Sequence, residues 1–395
     1  MDESVTRKIH MPDQIRLERC RQNPAKGPAI LFFSGGSALR ETSRQLIHYT
    51  HNSIHLITPF DSGGSSAVLR RAFSMPAVGD IRNRLMALAD QSVHGNNGVY
   101  ALFTHRLSKR SSQKELRREL ERMENGSHFL IHVIPGIMND IVRQYMTAFM
   151  RYMPDDFNLA GASVGNLILT AGYLASDREM EQVIETFSEL ARVRGKVFPV
   201  VDLDLHLAAR LGDGSIVVGQ HLMTGKEAAP LSSPIKQLWL TRSLDVEAPV
   251  HHPIQKGSRD RIAAADLICY PPGSFYSSVV ANLLPEGVGQ AIAENPCFKV
   301  FVPSTGHDPE AEGLSVADRT VILLEHLRAS GAPEGGRVLD GVLLDLEKGE
   351  YDGGVDVDKL RELGLEVLDS RLVSEDSAPD LDGHLLTKVL VSLAR

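Results

Sequence analysis

The chain has 395 residues, of which 43% are apolar and 23% charged, the balance of an ordinary globular protein with length enough for more than one domain. Its formal net charge of −8 excludes a broadly basic nucleic-acid-binding surface. No run reaches the roughly 18 apolar residues that a membrane span needs, and Met1 to Arg21 mix charges without the apolar centre of a signal peptide.

Residues 1–27 are polar and end in Asn23-Pro24-Ala25-Lys26-Gly27, which reads as an N-terminal arm. Ala29 to Phe33 is a continuous apolar run of the kind that is buried on both faces of a parallel sheet. A Gly-Gly turn follows, then a helix-compatible stretch from Leu39 to Tyr49, then a second strand from Ile54 to Thr58. That order is a Rossmann-like βαβ unit. Leu102 to Met123 is charge-rich, with Leu116, Leu120 and Met123 at helical spacing, and both signs of charge suit a solvated face. Ile137 to Met150 carries an apolar stripe, and Met180 to Leu190 is a further amphipathic helix, with Gly195 as its stop. Val197 to Leu207 and Ser215 to His221 read as strands joined around Asp213-Gly214, an inserted hairpin. Leu267 to Tyr270, Phe298 to Val302 and Val338 to Leu344 return to buried parallel strands. The expected fold is therefore a doubly wound α/β sheet with helices on both faces and an inserted β-hairpin segment, residues 28–395 forming a single domain.

Four glycine-containing turns stand where strands hand over to helices: Ser34-Gly35-Gly36-Ser37, Asp61 to Ser66, Gly161 to Asn166, and Pro271-Pro272-Gly273-Ser274. Glycine lets backbone approach a ligand closely, and N–H groups at a helix start favour anions. Four such turns point to a cleft for a phosphorylated ligand. Asp61 either holds a divalent cation, takes a proton from an acceptor hydroxyl, or merely closes an Asx-turn. Asp80, Arg82 and Asn83 fall within four positions. Arg82 offers a planar fork for phosphate, with Asp80 as its structural partner or a functional acid.

Gly161-Ala162-Ser163-Val164-Gly165 also fits the nucleophile-elbow pattern of α/β-hydrolases, and downstream Asp266 and His307 permit a Ser…Asp…His order. No oxyanion motif precedes it, and this reading leaves the other three turns unexplained. His48, His51 and His55 lack metal-ligand spacing and are expected in surface or cap roles. Cys20, Cys269 and Cys297 are scattered without C-x-x-C spacing, which speaks against disulfides or a zinc knuckle and for a reducing cytosol.

In order along the chain, FFSGGSALR, ITPFDSGGSSAVLRR, PAVGDIRNRLMALAD, GASVGNLILTAGYL, VRGKVFPV, LGDGSIVVGQ and ADLICYPPGSFYSSVVANLLPEGVGQAI resemble the CofD/YvcK family of 2-phospho-L-lactate-transferase-like proteins. The match runs from about residue 28 to about 330 and weakens over 330–395. The resemblance implies a cytoplasmic homodimer that binds a nucleoside-diphosphate-linked small molecule, with a guanine or uracil base, and magnesium as cofactor. One branch of the family moves a phospholactyl group from a guanosine-diphosphate-linked donor to an acceptor; the other is similar to UDP-sugar-binding regulators without established catalysis. The transferase type is the leading expectation, the regulator its alternative and a hydrolase using Ser163 the third.

Carried onto this chain, the resemblance makes Asp61, Asp80, Arg82 and Asn83 the catalytic candidates, with Asp61 the metal ligand. Ser34, Gly35, Gly36, Ser37, Gly63, Gly64, Ser65, Ser163, Gly165 and Asn166 are the phosphate candidates. Pro272, Gly273, Ser274 and Tyr276 close the nucleotide side, with the tyrosine ring available to the base or ribose. The chain departs from the family pattern in carrying Ser62 where the regulators have a second aspartate, and in opening with Ser34 rather than glycine.

Overall fold

The computed structural model describes residues 11–92, 95–225 and 227–394. Its framework is a seven-stranded parallel sheet formed by β1 (Ile30–Ser34), β2 (Ile54–Ile57), β3 (Lys196–Pro199), β7 (Leu267–Tyr270), β8 (Phe298–Phe301), β9 (Gly341–Leu344) and β10 (Glu366–Asp369). The spatial order is β10-β9-β8-β7-β1-β2-β3. The chain therefore winds outward from β1 in one direction, returns, and winds outward from β7 in the other. Between β1 and β7 the order reverses, and open α/β sheets place ligands at the carboxyl ends of such a strand pair.

All five residues of β1 are buried. Its alternating side chains divide between two cores: Leu31 and Phe33 face one, Ile30 and Phe32 the other. His55 of β2 joins the second side, fully buried and stacked on Phe32 with ring centroids 5.0 Å apart. This corrects the expectation of a surface or cap role: the position lies inside a two-sided strand, and burial drives the imidazole pKa well below 6.5, keeping the ring neutral.

The connection from β2 to β3 runs through a helical layer with its own core, from Gly64–Phe73 to Met180–Leu190. The charge-rich stretch expected as one helix is two, Asn97–Thr104 and Gln113–Glu124. Ser112 starts the second with a capping box to Glu115, a local bond set that fixes a new helix origin. The strand expected over Val197 to Leu207 also divides. Lys196–Pro199 stays in the large sheet, whereas β4 (His206–Leu211) pairs antiparallel with β5 (Ile216–Val218) and β6 (Ile235–Thr241). The expected hairpin around Asp213-Gly214 is present as β4 and β5, and β6 extends it to a three-stranded sheet. No helix among the described residues is long and apolar enough to cross a membrane.

Of the expected N-terminal arm, residues 1–10 lie outside the described part. The remainder is a helix, Gln14–Gln22, capped by the Asp13 side chain, with Leu17 buried against the C-terminal helix Gly383–Leu393. Asp13 N–H donates to Ser392 Oγ at 2.9 Å, so two regions far apart in sequence close on each other. The C-terminal helix in turn packs on Arg40–Leu46, the helix after β1. Leu17→Ala should lower unfolding free energy by about 2–5 kcal/mol, the range for truncating a buried leucine. Urea denaturation checks this; a loss under about 0.5 kcal/mol would mean that the N-terminal helix is not part of the cooperative unit.

Candidate functional site

The turn after β1 is shaped from below. Arg84, on the helix Gly79–Leu88, is 2% exposed, and its Nη1 donates to Leu39 O at 2.8 Å and Ser43 Oγ at 2.5 Å. Its Nη2 reaches Ser34 Oγ at 3.4 Å and Gly35 O at 3.5 Å. Burial lowers this guanidinium to a pKa of about 10, with Asp80 opposing the shift. The turn itself needs glycine at position 36, where φ is +44°. Gly36 N–H donates to Asp80 Oδ2 at 2.6 Å, so the Asp80 carboxylate already sits where an anion is favoured.

The turn after β2 is an Asx-turn: Asp61 Oδ1 accepts the Gly63 N–H at 3.0 Å. Buried Arg70 clamps it by donating to Asp61 O at 3.1 Å while also binding Asp204 Oδ1 and Leu205 O, the lead-in to β4. Ser62 is hydrogen-bonded through Oγ to His221 Nδ1 at 2.8 Å. The Ser62 hydroxyl thus fastens the insert to the cleft. From the same insert, Glu227 Oε2 accepts the Gly64 N–H at 3.3 Å, at the start of the helix Gly64–Phe73.

Arg82 is 7% exposed and donates through Nε to Asn166 Oδ1 at 3.0 Å, and Asn166 Nδ2 reaches Ser65 Oγ at 3.2 Å. Two of the turns are tied together by this chain of bonds. Burial, then the charges of Arg106 and Arg40, lower the Arg82 pKa to about 10.

The turn after β7 differs from expectation. Gly273 N–H donates to Ser304 Oγ at 2.8 Å, Phe275 N–H to Asp308 Oδ2 at 2.7 Å, and Ser277 N–H to Glu310 Oε2 at 2.7 Å. The chain's own side chains occupy these donors. Tyr276 is buried, its hydroxyl donating to Ile235 O at 3.3 Å, so its ring belongs to the core beneath the insert and not to the cleft. Phe275–Val279 is wound as a π-helix, a form common at functional sites, and this winding carries Tyr276 inward.

These turns wall a cleft of two chambers. The larger, about 660 Å³, lies at the β1/β7 reversal and takes in Gly35, Gly36, Ser37, Pro272, Gly273 and Ser274. The second, about 430 Å³, takes in Gly64, Ser65, Arg82, Ser163 and Asn166. Asp61, Gly63, Asp80, Asn83 and Glu227 stand on both. Of the expected residues, Ser34, Gly165 and Tyr276 line neither chamber. Ser34 points to Arg84, and Gly165 is a glycine because a Cβ there would lie 2.6 Å from Phe103 O, a packing reason rather than a ligand one.

A Ser163 triad does not assemble. Ser163 Oγ is buried without a hydrogen-bond partner, Asp266 Oδ2 accepts the Ala29 N–H ahead of β7, and His307 pairs with Asp352 at 3.2 Å. Among the described residues no group of three or more His, Cys, Asp or Glu could hold a metal ion. The oxygen donors present fit a magnesium only when shared between Asp61 and ligand phosphates, the usual manner for that ion.

Sequence reasoning missed Arg70, Arg84, His221 and Glu227; it marked Ser304 to Glu310 as a departure from the family on the ligand side but assigned those residues no role. Ser304 and Thr305 line the larger chamber just beyond β8, where the strand-end rule alone points. Asp380 and Leu381 also line it.

The chain belongs to the CofD family: residues 30–373 match its profile, described as 2-phospho-L-lactate transferase CofD. It is 28% identical over 383 residues to a gluconeogenesis factor of Bacillus subtilis, covering 93% of this chain and 98% of that protein. A gluconeogenesis factor of Halalkalibacterium halodurans is 27% identical over 374 residues, covering 91% and 94%. In fold, the chain is similar to a crystal structure of a UPF0052 family member from Bacillus halodurans, with a TM-score of 0.67 at 24% identity, covering 93% and 99%.

The Glu310 carboxyl is raised to about 7 by burial first and by Asp308 second, against an ordinary value of 4.5. The folded chain therefore keeps this proton more tightly than the unfolded one. The stability it lends is complete below about pH 4.5 and is lost as pH rises through 7. Glu310→Gln, which imitates the protonated form, should gain on wild type in urea denaturation from pH 5 to pH 8. Parallel stability curves for the two proteins would remove Glu310 from the titration.

Proposed function

We propose that this CofD-family protein binds a nucleoside-diphosphate-linked small molecule across the two chambers and acts as a ligand-responsive regulator. The observation that carries the reading is the position of the cleft at the β1/β7 reversal, where two glycine turns meet within 660 Å³, a volume in the range of small-molecule sites. The diphosphate would lie against Gly35, Gly36 and Ser37, with Ser274 and Ser278 on the opposite wall. The names of the relatives as gluconeogenesis factors favour a regulator over a transferase. The hydroxyl of Ser62, committed to His221, supports the same choice, since it supplies no second carboxylate for a catalytic cation.

The transferase reading rests on a different observation: Asp61, Asp80 and Asn83 stand where the chambers join, the place at which a donor in one would meet an acceptor in the other. In that reading magnesium held by Asp61 and the ligand's phosphates supplies charge neutralisation, and Arg82 stabilises charge on the leaving group.

A thermal-shift screen of GDP, GTP, UDP and UDP-N-acetylglucosamine, with and without magnesium, tests the binding. Stabilisation by the UDP-sugar, with intact ligand recovered after long incubation, is expected for the regulator. Selective stabilisation by guanine nucleotides would turn the choice to the transferase, and Asp61→Asn with full turnover would then remove Asp61 from its chemistry. Gly36→Asp should weaken binding of the stabilising nucleotide at least about tenfold in calorimetry, by setting a carboxylate beside the diphosphate. Unchanged affinity would overturn the cradle.

A further inference from the structure

A third cavity, about 230 Å³, opens beside the helix Gly79–Leu88. Four arginines line it, Arg40, Arg44, Arg82 and Arg106, and no carboxylate does. Arg44 and Tyr100 belong to this cavity and to neither chamber of the cleft.

Among the described residues the cluster has few acceptors of its own. Arg82 is more than nine-tenths buried and lines the cavity, yet only its Nε has a hydrogen-bond partner among the described residues. Arg106 spends one nitrogen on Gly161 O at 3.3 Å. Arg44 pairs with Glu41 at 3.5 Å, but both are about half exposed, and such pairs are weak. Asp80, the carboxylate whose charge bears on Arg82, is engaged with the Gly36 N–H. Burial first, then repulsion from the guanidinium groups of Arg106 and Arg40, presses the Arg82 pKa down, and a bound anion would relieve the repulsion.

The geometry points to a binding site for a small phosphorylated metabolite, its phosphate held by Arg40, Arg44, Arg82 and Arg106 and its short carbon body lying against Met86 and Tyr100. Guanidinium forks match phosphate oxygens in pairs, and several converging forks suit a dianion better than a single carboxylate. The volume is below the range of nucleotide-sized sites, so the ligand is small. Arg82, Asn83 and Arg106 also wall the second chamber of the cleft, and Arg40 and Asn83 the larger one, so an occupant here shares residues with the nucleotide-linked ligand and Arg44 is the arginine peculiar to this cavity. The two affinities would then be coupled, each altering the other by one factor.

The site does not rest on the nucleotide reading and is tested apart from it. Calorimetry in low-salt, phosphate-free buffer would compare glycerol 3-phosphate, inorganic phosphate and glycerol on the full chain. Glycerol 3-phosphate should bind, more tightly than inorganic phosphate, and glycerol should not. Arg44→Gln and Arg106→Gln should each weaken it by about tenfold or more, the effect of one charge-assisted hydrogen bond, with melting curves confirming that both variants fold. No binding at millimolar glycerol 3-phosphate, or equal affinity in wild type and both variants, would overturn the site. Equal binding of inorganic phosphate would overturn the role given to Met86 and Tyr100. Arg44→Gln should keep the response to the stabilising nucleotide, which separates failure here from failure of the cleft.

Discussion

A guanidinium with no access to water must find its acceptors in the chain, and for Arg84 these are the carbonyls and hydroxyls of the first turn and the helix that follows it. Meeting that demand fixes the distance between the helix Gly79–Leu88 and the end of β1. The same helix then has no freedom in where it carries Asp80, Arg82 and Asn83. Asp80 meets Gly36, Arg82 meets Asn166, and Asn83 comes to the junction of the chambers. One buried cation thus sets the register of three of the four glycine turns. The demand is met incompletely, since Arg84 Nε is buried without a partner.

The turns are also balanced electrostatically. Asp80, Glu227, Asp308 and Glu310 each accept a backbone N–H at or beside a glycine turn. On the β7 side these acceptors are buried and structural, and the donors they hold are spoken for. On the side of β1 and β2, Asp80 and Glu227 reach the cleft surface, where phosphate oxygens can take over the same donors. In the proposed reading, anion affinity would be unevenly distributed around a ring of similar-looking turns.

The sheet was legible from sequence because its strands are short, continuous apolar runs, and two-sided burial leaves that trace plainly in Ala29 to Phe33 or Leu267 to Tyr270. The turns were legible because glycine and the strand-to-helix handover are local. What failed was orientation and distance. Nothing local distinguishes Tyr276, which turns inward with a π-helical winding, from a tyrosine facing a ligand. Gly165 follows the pattern of a ligand-binding glycine but answers to the backbone of Phe103. His55 carries no sequence mark of its stack on Phe32, since both alternate correctly on adjacent strands. Nothing in the sequence separates Arg70 and Arg84 from surface charges, and only the closed fold makes them interior anchors.

The helix Gly383–Leu393 rests on the helix after β1, through Thr387 Oγ1 to Thr42 O at 3.2 Å, and on the N-terminal helix behind it. The loop before it places Asp380 and Leu381 on the wall of the larger chamber. That helix contributes no strand, yet its Leu386, Val389 and Leu390 share one core with Ile30 and Phe32 of β1, so the wall is tied to the sheet it stands beside. Any molecule that bridges the β1 turn and that loop would act as a clasp between the two extremities of the fold.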